Sequence, residues 1–250
     1  MTEIILDEKA YVEDALKNLS LGVKPTETLG RVARYYYSQG YSKKEIGGLL
    51  EDFMIKCDPT INIVKWQNTI DMVVKSADKY KLIDISGVVI TESEMDAIKR
   101  VEGKLLQRLM FTMLCLAKYG NARSETNNNW INRRDKDIFS LANIAVASKR
   151  QSLMINDLWN LEYIGYSRVI DNVNMNVKIV DDDSPTVMVI HDFRNLGYQY
   201  MRYCGEPCVE CQCCGKVEKM SHSKQKYCKE CAVIANRKKS AERYHTKLSS

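Results

Sequence analysis

The sequence has little histidine: three residues in 250, His191, His222 and His245. A histidine-rich nuclease centre is hard to build from so few. The chain also lacks a phosphate-cradling Walker loop, a Gly-x-Ser-x-Gly nucleophile turn and a His-Glu-x2-His metal motif. Its 32 Asp and Glu residues are plentiful, but no spacing among them singles out a catalytic pair. These absences point away from an enzyme. No apolar run approaches the length of a membrane span. Met1 leads into a charged, amphipathic segment with no apolar signal core. The expectation is a soluble chain in a reducing compartment, with no membrane partner, which also argues against a disulfide framework.

Cysteine, by contrast, is concentrated. Seven of the nine fall between Cys204 and Cys231. Cys211-x2-Cys214 is followed by Gly215-Lys216, and Cys228-x2-Cys231 follows it. A two-residue gap lets both thiolates of a pair turn toward one point. The glycine after the second ligand permits the tight turn that aims backbone N–H groups at sulfur. Two such knuckles supply the four soft ligands of one structural zinc, Cys211, Cys214, Cys228 and Cys231. Cys208-x2-Cys211 has the same spacing and is a competing first pair, but it lacks the Gly-Lys. His222 could replace one sulfur; a solvated loop histidine is the plainer reading. A four-cysteine zinc leaves no open coordination position, so catalysis at the metal is not expected. Cys57 and Cys115, isolated among apolar residues, read as small core residues.

At 250 residues the chain can hold two modest domains plus the knuckle. Its net charge of +5 is unevenly spread. Residues 1–99 carry 13 basic and 16 acidic side chains, net −3, and residues 100–150 carry 10 and 4, net +6. Residues 151–200 carry 3 and 7, net −4, and residues 201–250 carry 11 and 5, net +6. Two basic segments separated by acidic ones suggest positive patches meeting a polyanion. An ordinary solvated mixture of charge is the alternative.

Apolar periodicity predicts a helical domain over residues 1–81. Its helices run from Asp7 to Leu19, from Thr26 to Gln39 after Pro25, and from a Ser42–Glu45 capping box to about Ile55. Asp58-Pro59 is expected to cap a fourth, with Ile63, Trp66, Ile70, Val73, Val74 and Ala77 in one stripe. The run Arg31-x2-Arg34-Tyr35-Tyr36-Tyr37 invites a base-stacking reading, against the simpler one of tyrosines packing a helix pair. Leu82 to Ile90 reads as an extended connector. A second capping box at Thr91–Glu94 starts a long helix expected to reach Tyr119, stopped by Gly120. Met110 and Met113 on it read as core rather than as an adaptable surface.

Ile138, Leu141, Ala142, Ile144 and Ala145 mark a short amphipathic helix. A second helix, capped by Ser148, carries Leu153, Met154, Leu158, Leu161 and Ile164 and should end at Gly165. Met154, Leu158 and Leu161 should face the core, and Lys149, Ser152, Asn156 and Asn160 the opposite side. Strands are expected at Tyr166–Ile170, Val177–Val180 and Val187–Ile190. This order, with Phe139–Ile144, Leu158–Tyr166 and the β-rich tail, resembles the winged helix-turn-helix folds of bacterial and phage regulators and replication proteins. The resemblance covers about a third of the chain and assigns residues 91–195 to such a domain. It implies a mainly α fold with a small β-wing (α+β) and DNA as partner. Lys149, Arg150, Gln151 and Ser152 lie in the first turn, the end that contacts base edges, with Asn156 on the same face. Arg133, Arg134 and Lys136 lie upstream, placed to hold phosphate. A winged helix can instead bind only protein. Asp181–Asp183, if it formed the wing tip, would repel phosphate.

Residues 204–250 form the third segment. The CxxC-Gly-Lys, the second knuckle and a basic tail with Arg237, Lys238, Lys239, Arg243 and Lys247 resemble zinc-ribbon or treble-clef knuckles of phage and mobile-element proteins. The tail is expected to be helical over Ala232–Leu248, either contacting phosphate or fraying as a charged terminus. Together the two resemblances imply a phage- or prophage-type DNA-binding protein acting in transcriptional regulation or replication in the cytoplasm of a bacterial host. A protein-binding adaptor or inhibitor of a nucleoprotein machine is the other reading. RNA is a lesser partner.

Overall fold

The computed structural model describes residues 4–167 and 174–237. It mixes helix and strand, an α+β chain, and divides into two compact units. The first is Ile5–Ser86; the second begins at Gly87 and also includes Ile4.

The first unit packs α1 (Glu8–Lys17), α2 (Pro25–Ser38), α3 (Lys43–Cys57) and α4 (Ile63–Ser76). Each start has a local cause. Asp7 Oδ1 accepts from Ala10 N, Pro25 takes the first helical position of α2, and Ser42 with Glu45 closes the expected capping box. The fourth start was expected at Asp58-Pro59 and lies elsewhere. The Asp58 carboxylate accepts from the backbone and hydroxyl of Thr60, forming a turn, and Asn62 caps α4 by accepting from Lys65 N. The core joins Val12, Leu29, Val32, Ile46, Leu50, Phe53, Ile70 and Val73. Beneath it, Glu8 is buried and accepts from Arg31 Nε at 3.1 Å, Arg34 Nη2 at 2.9 Å and Ile83 N at 2.9 Å. Both arginines of the Arg31–Tyr37 run are thus spent on a buried carboxylate. Tyr35 and Tyr36 pack against the core, as the simpler reading has it.

The second unit is organised on one helix. Its elements are β1 (Val88–Thr91), α5 (Glu92–Arg100), α6 (Lys104–Arg123), β2 (Trp130–Ile131), α7 (Asp135–Leu141) and α8 (Ser148–Asn160). Then come β3 (Ile164–Tyr166), β4 (Met175–Val177), β5 (Thr186–Ile190), α9 (Leu196–Tyr203), β6 (Cys208–Glu210) and β7 (Val217–Lys219). The single long helix expected from Thr91 is two. Gly103, at φ +94°, breaks it, and Gln107 Nε2 donates to the freed carbonyls of Lys99 and Val101. Leu109 through Tyr119 of α6 are all buried, Met110, Met113 and Cys115 included. A helix apolar on every side has to be covered on every side. α5, α7, α8, α9 and strands β1, β2 and β4 do so.

Among the described residues three antiparallel sheets result: β1 with β5, a three-stranded sheet in the order β2-β4-β3, and the β6–β7 hairpin. The expected connector thus ends in a paired strand, with Val88 opposite Ile190. Strand β5 leaves the β3–β4 pair to join it. Gly165 does not end α8 but lies in β3. The stop falls earlier, at Leu161 and at Glu162, whose φ is +62°. Ser148 is the first helical residue rather than the cap, Ala147 taking that place without a side-chain bond. The expected strand Tyr166–Ile170 has only its first residue in β3, and 168–173 lie outside the described residues.

One buried carboxylate joins these parts. Glu94 accepts from Lys118 Nζ at 2.7 Å, Thr91 N at 2.8 Å and Asp181 N at 3.0 Å. Lys118 also reaches Asp182 at 2.8 Å, whose side chain is 71% exposed. Removing one partner of a buried pair strands the other charge, so Glu94→Ala should destabilise this unit by about 3–5 kcal/mol. Asp182→Ala removes only an exposed carboxylate and leaves Lys118 its buried partner Glu94, so it should cost less than about 1 kcal/mol. Chemical denaturation of the two variants checks both figures.

Candidate metal centre and basic helix

Cys208, Val209 and Glu210 pair with Lys219, Glu218 and Val217 in the β6–β7 hairpin. At its turn Gly215 takes φ +72°, its N–H donates to Cys211 O, and Cys211 N donates to Lys216 O. That brings Cys211 and Cys214 to one side. Residues 229–237 are helical, and Cys228 with Cys231 sits at that helix's start, where Ala232 N donates to Cys228 O. The four sulfurs lie within 4.8 Å of one another, with Cys214 Sγ and Cys228 Sγ 3.8 Å apart. A tetrahedral zinc with bonds of about 2.3 Å requires sulfurs about 3.8 Å apart. The four cysteines can hold a metal ion and suit zinc.

Their protonation fits that use. Burial opposes ionisation of Cys211, yet the backbone N–H groups of Cys228, Cys214 and Cys213 outweigh it and hold the thiol at about 6. The Cys231 thiol is pushed up, first by its bond with Cys228 and then by burial, and burial raises Cys228. One thiolate forms readily while Cys228 and Cys231 hold their protons, and a divalent cation is what would favour their ionisation. The competing ligands fall away on placement: Cys208 lies on strand β6, Cys204 and Cys213 are exposed, and His222 is exposed in the loop.

The hairpin is anchored by residues that sequence reasoning missed. Arg194 Nη2 donates to Cys214 O at 2.7 Å, and Asn195 Nδ2 donates to Val217 O at 2.9 Å. Asn143 Nδ2 in turn donates to Asn195 Oδ1 at 2.8 Å. Asn143 and Asn195 both adopt left-handed backbone, φ +54° and +57°, a conformation asparagine tolerates better than most residues. A Cβ on Gly197 would lie 1.8 Å from Ala142 O, so α9 touches the end of α7 through bare backbone. Two asparagines and a glycine flanking a helix end were the available signal.

On α8, Met154, Ile155 and Leu158 are buried. Leu161, expected in the core, is 52% exposed because the helix has already ended, and Ile155 fills the inner face instead. Lys149, Arg150, Ser152, Asn156 and Asn160 are exposed. Lys149 and Arg150 side chains make no ion pair or hydrogen bond among the described residues. Ser152 Oγ donates to Ser148 O. Gln151 is half-buried and its amide donates to Val146 O, which withdraws it from the outer face. Upstream, Lys136 is exposed, Arg134 is paired with Asp137 at 3.0 Å, and burial lowers the pKa of half-buried Arg133. Arg237 is exposed on the last helix; Lys238, Lys239, Arg243 and Lys247 lie outside the described residues. The acidic run is not on the β3–β4 loop. Asp181 accepts from Ser93 Oγ at 2.6 Å and Asp182 pairs with Lys118, both on the α5–α6 side.

A second missed feature lies beside α8. Trp159 and Tyr166, both more than two-fifths exposed, stand 6.0 Å apart by ring centroid. Trp159 is one step off the Met154–Leu158 stripe, which was the sequence signal that it faces outward. Among the described residues no helix is long and apolar enough to cross a membrane. No protein-family model, curated protein or solved structure matches the chain.

Native mass spectrometry should find one zinc per chain, lost in Cys211→Ser and Cys228→Ser and retained in Cys204→Ser and Cys208→Ser. Because zinc competes with protons for thiolates, acidification should release it. A chelator should abolish amide protection in residues 208–237 while that of α6 persists.

Proposed function

We propose that the chain is a non-enzymatic DNA-binding protein of phage or prophage type, acting in transcriptional regulation or replication. The observation that carries this reading is an arrangement. A central helix α6, the short strand β2, helices α7 and α8, and the pair β3–β4 follow in the order of a winged helix-turn-helix, with β2 closing the sheet beside β4. Helix α8 then turns Lys149 and Arg150 of its first turn, without a partner among the described residues, to solvent. A helix set this way enters the major groove by its N-terminal end, where Arg pairs with guanine and Lys neutralises phosphate.

Three placements support it. The acidic run is tied back to α5 and α6, so it does not sit where the β3–β4 loop would meet the DNA backbone. The hairpin, its four cysteines and the following helix support the reading of a zinc knuckle, in which one bound zinc would hold Arg237 on its helix for a phosphate contact. The knuckle is bonded through Asn195 to Asn143 in the α7–α8 turn, so both cationic features ride on one frame. Within the candidate set, Lys136, Lys149, Arg150, Asn156 and Arg237 are the contacts we retain. Gln151 and Arg134 already have partners of their own.

A protein-binding adaptor is the second reading, favoured by Leu153, Trp159 and Leu161 at 46–52% exposure on and just after α8. Duplex binding measured against salt separates the two. Lys149→Ala and Arg150→Ala should each weaken binding of a random duplex and lower the log–log salt slope by about 1. Leu153→Ser should leave it unchanged. Unaltered binding in both basic variants removes α8 from the interface.

A further inference from the structure

A cleft of about 650 Å³ opens in the helical unit between α1, α2 and α3, lined by Leu16, Tyr35, Tyr36, Gln39, Gly40, Tyr41 and Glu45. Its size is that of a small-ligand site. Local sequence builds it. Gly40, at φ +91°, follows α2 and closes a Schellman turn in which Gly40 N donates to Tyr37 O and Tyr41 N to Tyr36 O. That reversal lays the Tyr41 ring on Tyr36, with centroids 5.5 Å apart and planes at 80°. Tyr35 meets Tyr36 at 5.9 Å and 63° from the other side. Three aromatic rings at steep mutual angles thus line one cleft.

The charged group of the cleft is a carboxylate. Glu45 Oε2 takes both Ser42 bonds, at 2.8 and 2.6 Å, while Oε1 has no partner among the described residues. The Ser42 hydroxyl and N–H hold its pKa below the ordinary carboxylate value, so it is ionised at neutral pH. Glu13 stands behind Tyr35, whose hydroxyl reaches its carboxylate at 3.5 Å. No lysine or arginine lines the cleft. Nearby Arg31 and Arg34 are committed to Glu8, and Lys43 to Asp78.

We propose that this cleft is a binding site for an alkylated ammonium ion, held over the faces of Tyr35, Tyr36 and Tyr41 and neutralised by Glu45. Aromatic faces attract cations through the ring quadrupole. A methylated ammonium loses less on leaving water than a primary one, because it has few or no N–H groups hydrogen-bonded to water. The site belongs to the unit Ile5–Ser86, whereas the proposed DNA-binding residues belong to the other, and the proposal does not rest on that reading.

The test is a ¹H–¹⁵N titration of the full chain with choline and, separately, with its neutral isostere 3,3-dimethyl-1-butanol. Choline should shift the Gly40 and Tyr41 amides saturably, and the alcohol should not. Tyr41→Ala and Glu45→Gln should each weaken choline binding about three- to tenfold. Glutamine retains the capping box, so Glu45→Gln reads charge rather than folding. Equal response to both compounds, absence of any choline shift, or wild-type affinity in both variants overturns the proposal. A trimethyllysine peptide distinguishes the sources: tighter binding than choline assigns the cation to a partner protein, equal or weaker binding to a small molecule.

Discussion

Lys118 lies within a stretch of α6 in which every residue from Leu109 to Tyr119 is buried, so its ammonium must find its partner inside the protein. Glu94 is that partner, and it is itself fully buried. A bare charge in such surroundings is costly, and the two can be buried only together. The rest of the larger unit follows from that pairing. Glu94 stands in the first turn of α5, so α5 must start where Lys118 can reach it. Asp181 N takes one Glu94 oxygen and Thr91 Oγ1 donates to Asp181 O, which sets the chain entering β5 alongside β1. One buried ion pair thereby fixes a helix start, a strand pairing and a loop.

The parts legible in the sequence are those with a local cause. The capping box at Ser42, the proline opening α2 and the inner stripe of α4 depend on residues a few positions apart, and they appear where the pattern places them. The cysteine set was legible for the same reason, since ligand spacing and the following glycine are local constraints. What failed to show is non-local or competitive. Strand β5 chose β1 as partner, a pairing across about a hundred residues that alternation cannot encode. Gly103 split the long helix because a glycine at positive φ ends a helix as well as flexing one, and periodicity runs on undisturbed across the break. The end of α8 was misplaced because Glu162 adopts a backbone conformation that glycine usually takes, leaving Gly165 for the strand. Nothing in the sequence told that Gln151 would turn inward to a carbonyl while its neighbours Lys149 and Arg150 stayed outside.

Charge in this chain is placed more selectively than its total suggests. In the smaller unit the arginines are internal, gathered on Glu8. The larger unit neutralises its acidic run against its own Ser93 and Lys118. Lys149 and Arg150, consecutive in the first turn of α8, are among the exposed cations that make no ion pair among the described residues.

The contact of Gly197 with the Ala142 carbonyl bears on how such a chain can change over time. A close approach of backbone to backbone admits no side chain, and the left-handed asparagines on either side are tied to each other. The metal hairpin is therefore not a detachable cassette. A substitute module spliced in after β5 would have to bring an amide at position 195 and bare backbone at 197, or arrive with a rebuilt α7–α8 turn. An exchange of the hairpin alone would therefore break the Asn143–Asn195 and Asn195–Val217 bonds and crowd Ala142, which a change confined to the unit ending at Ser86 would not touch.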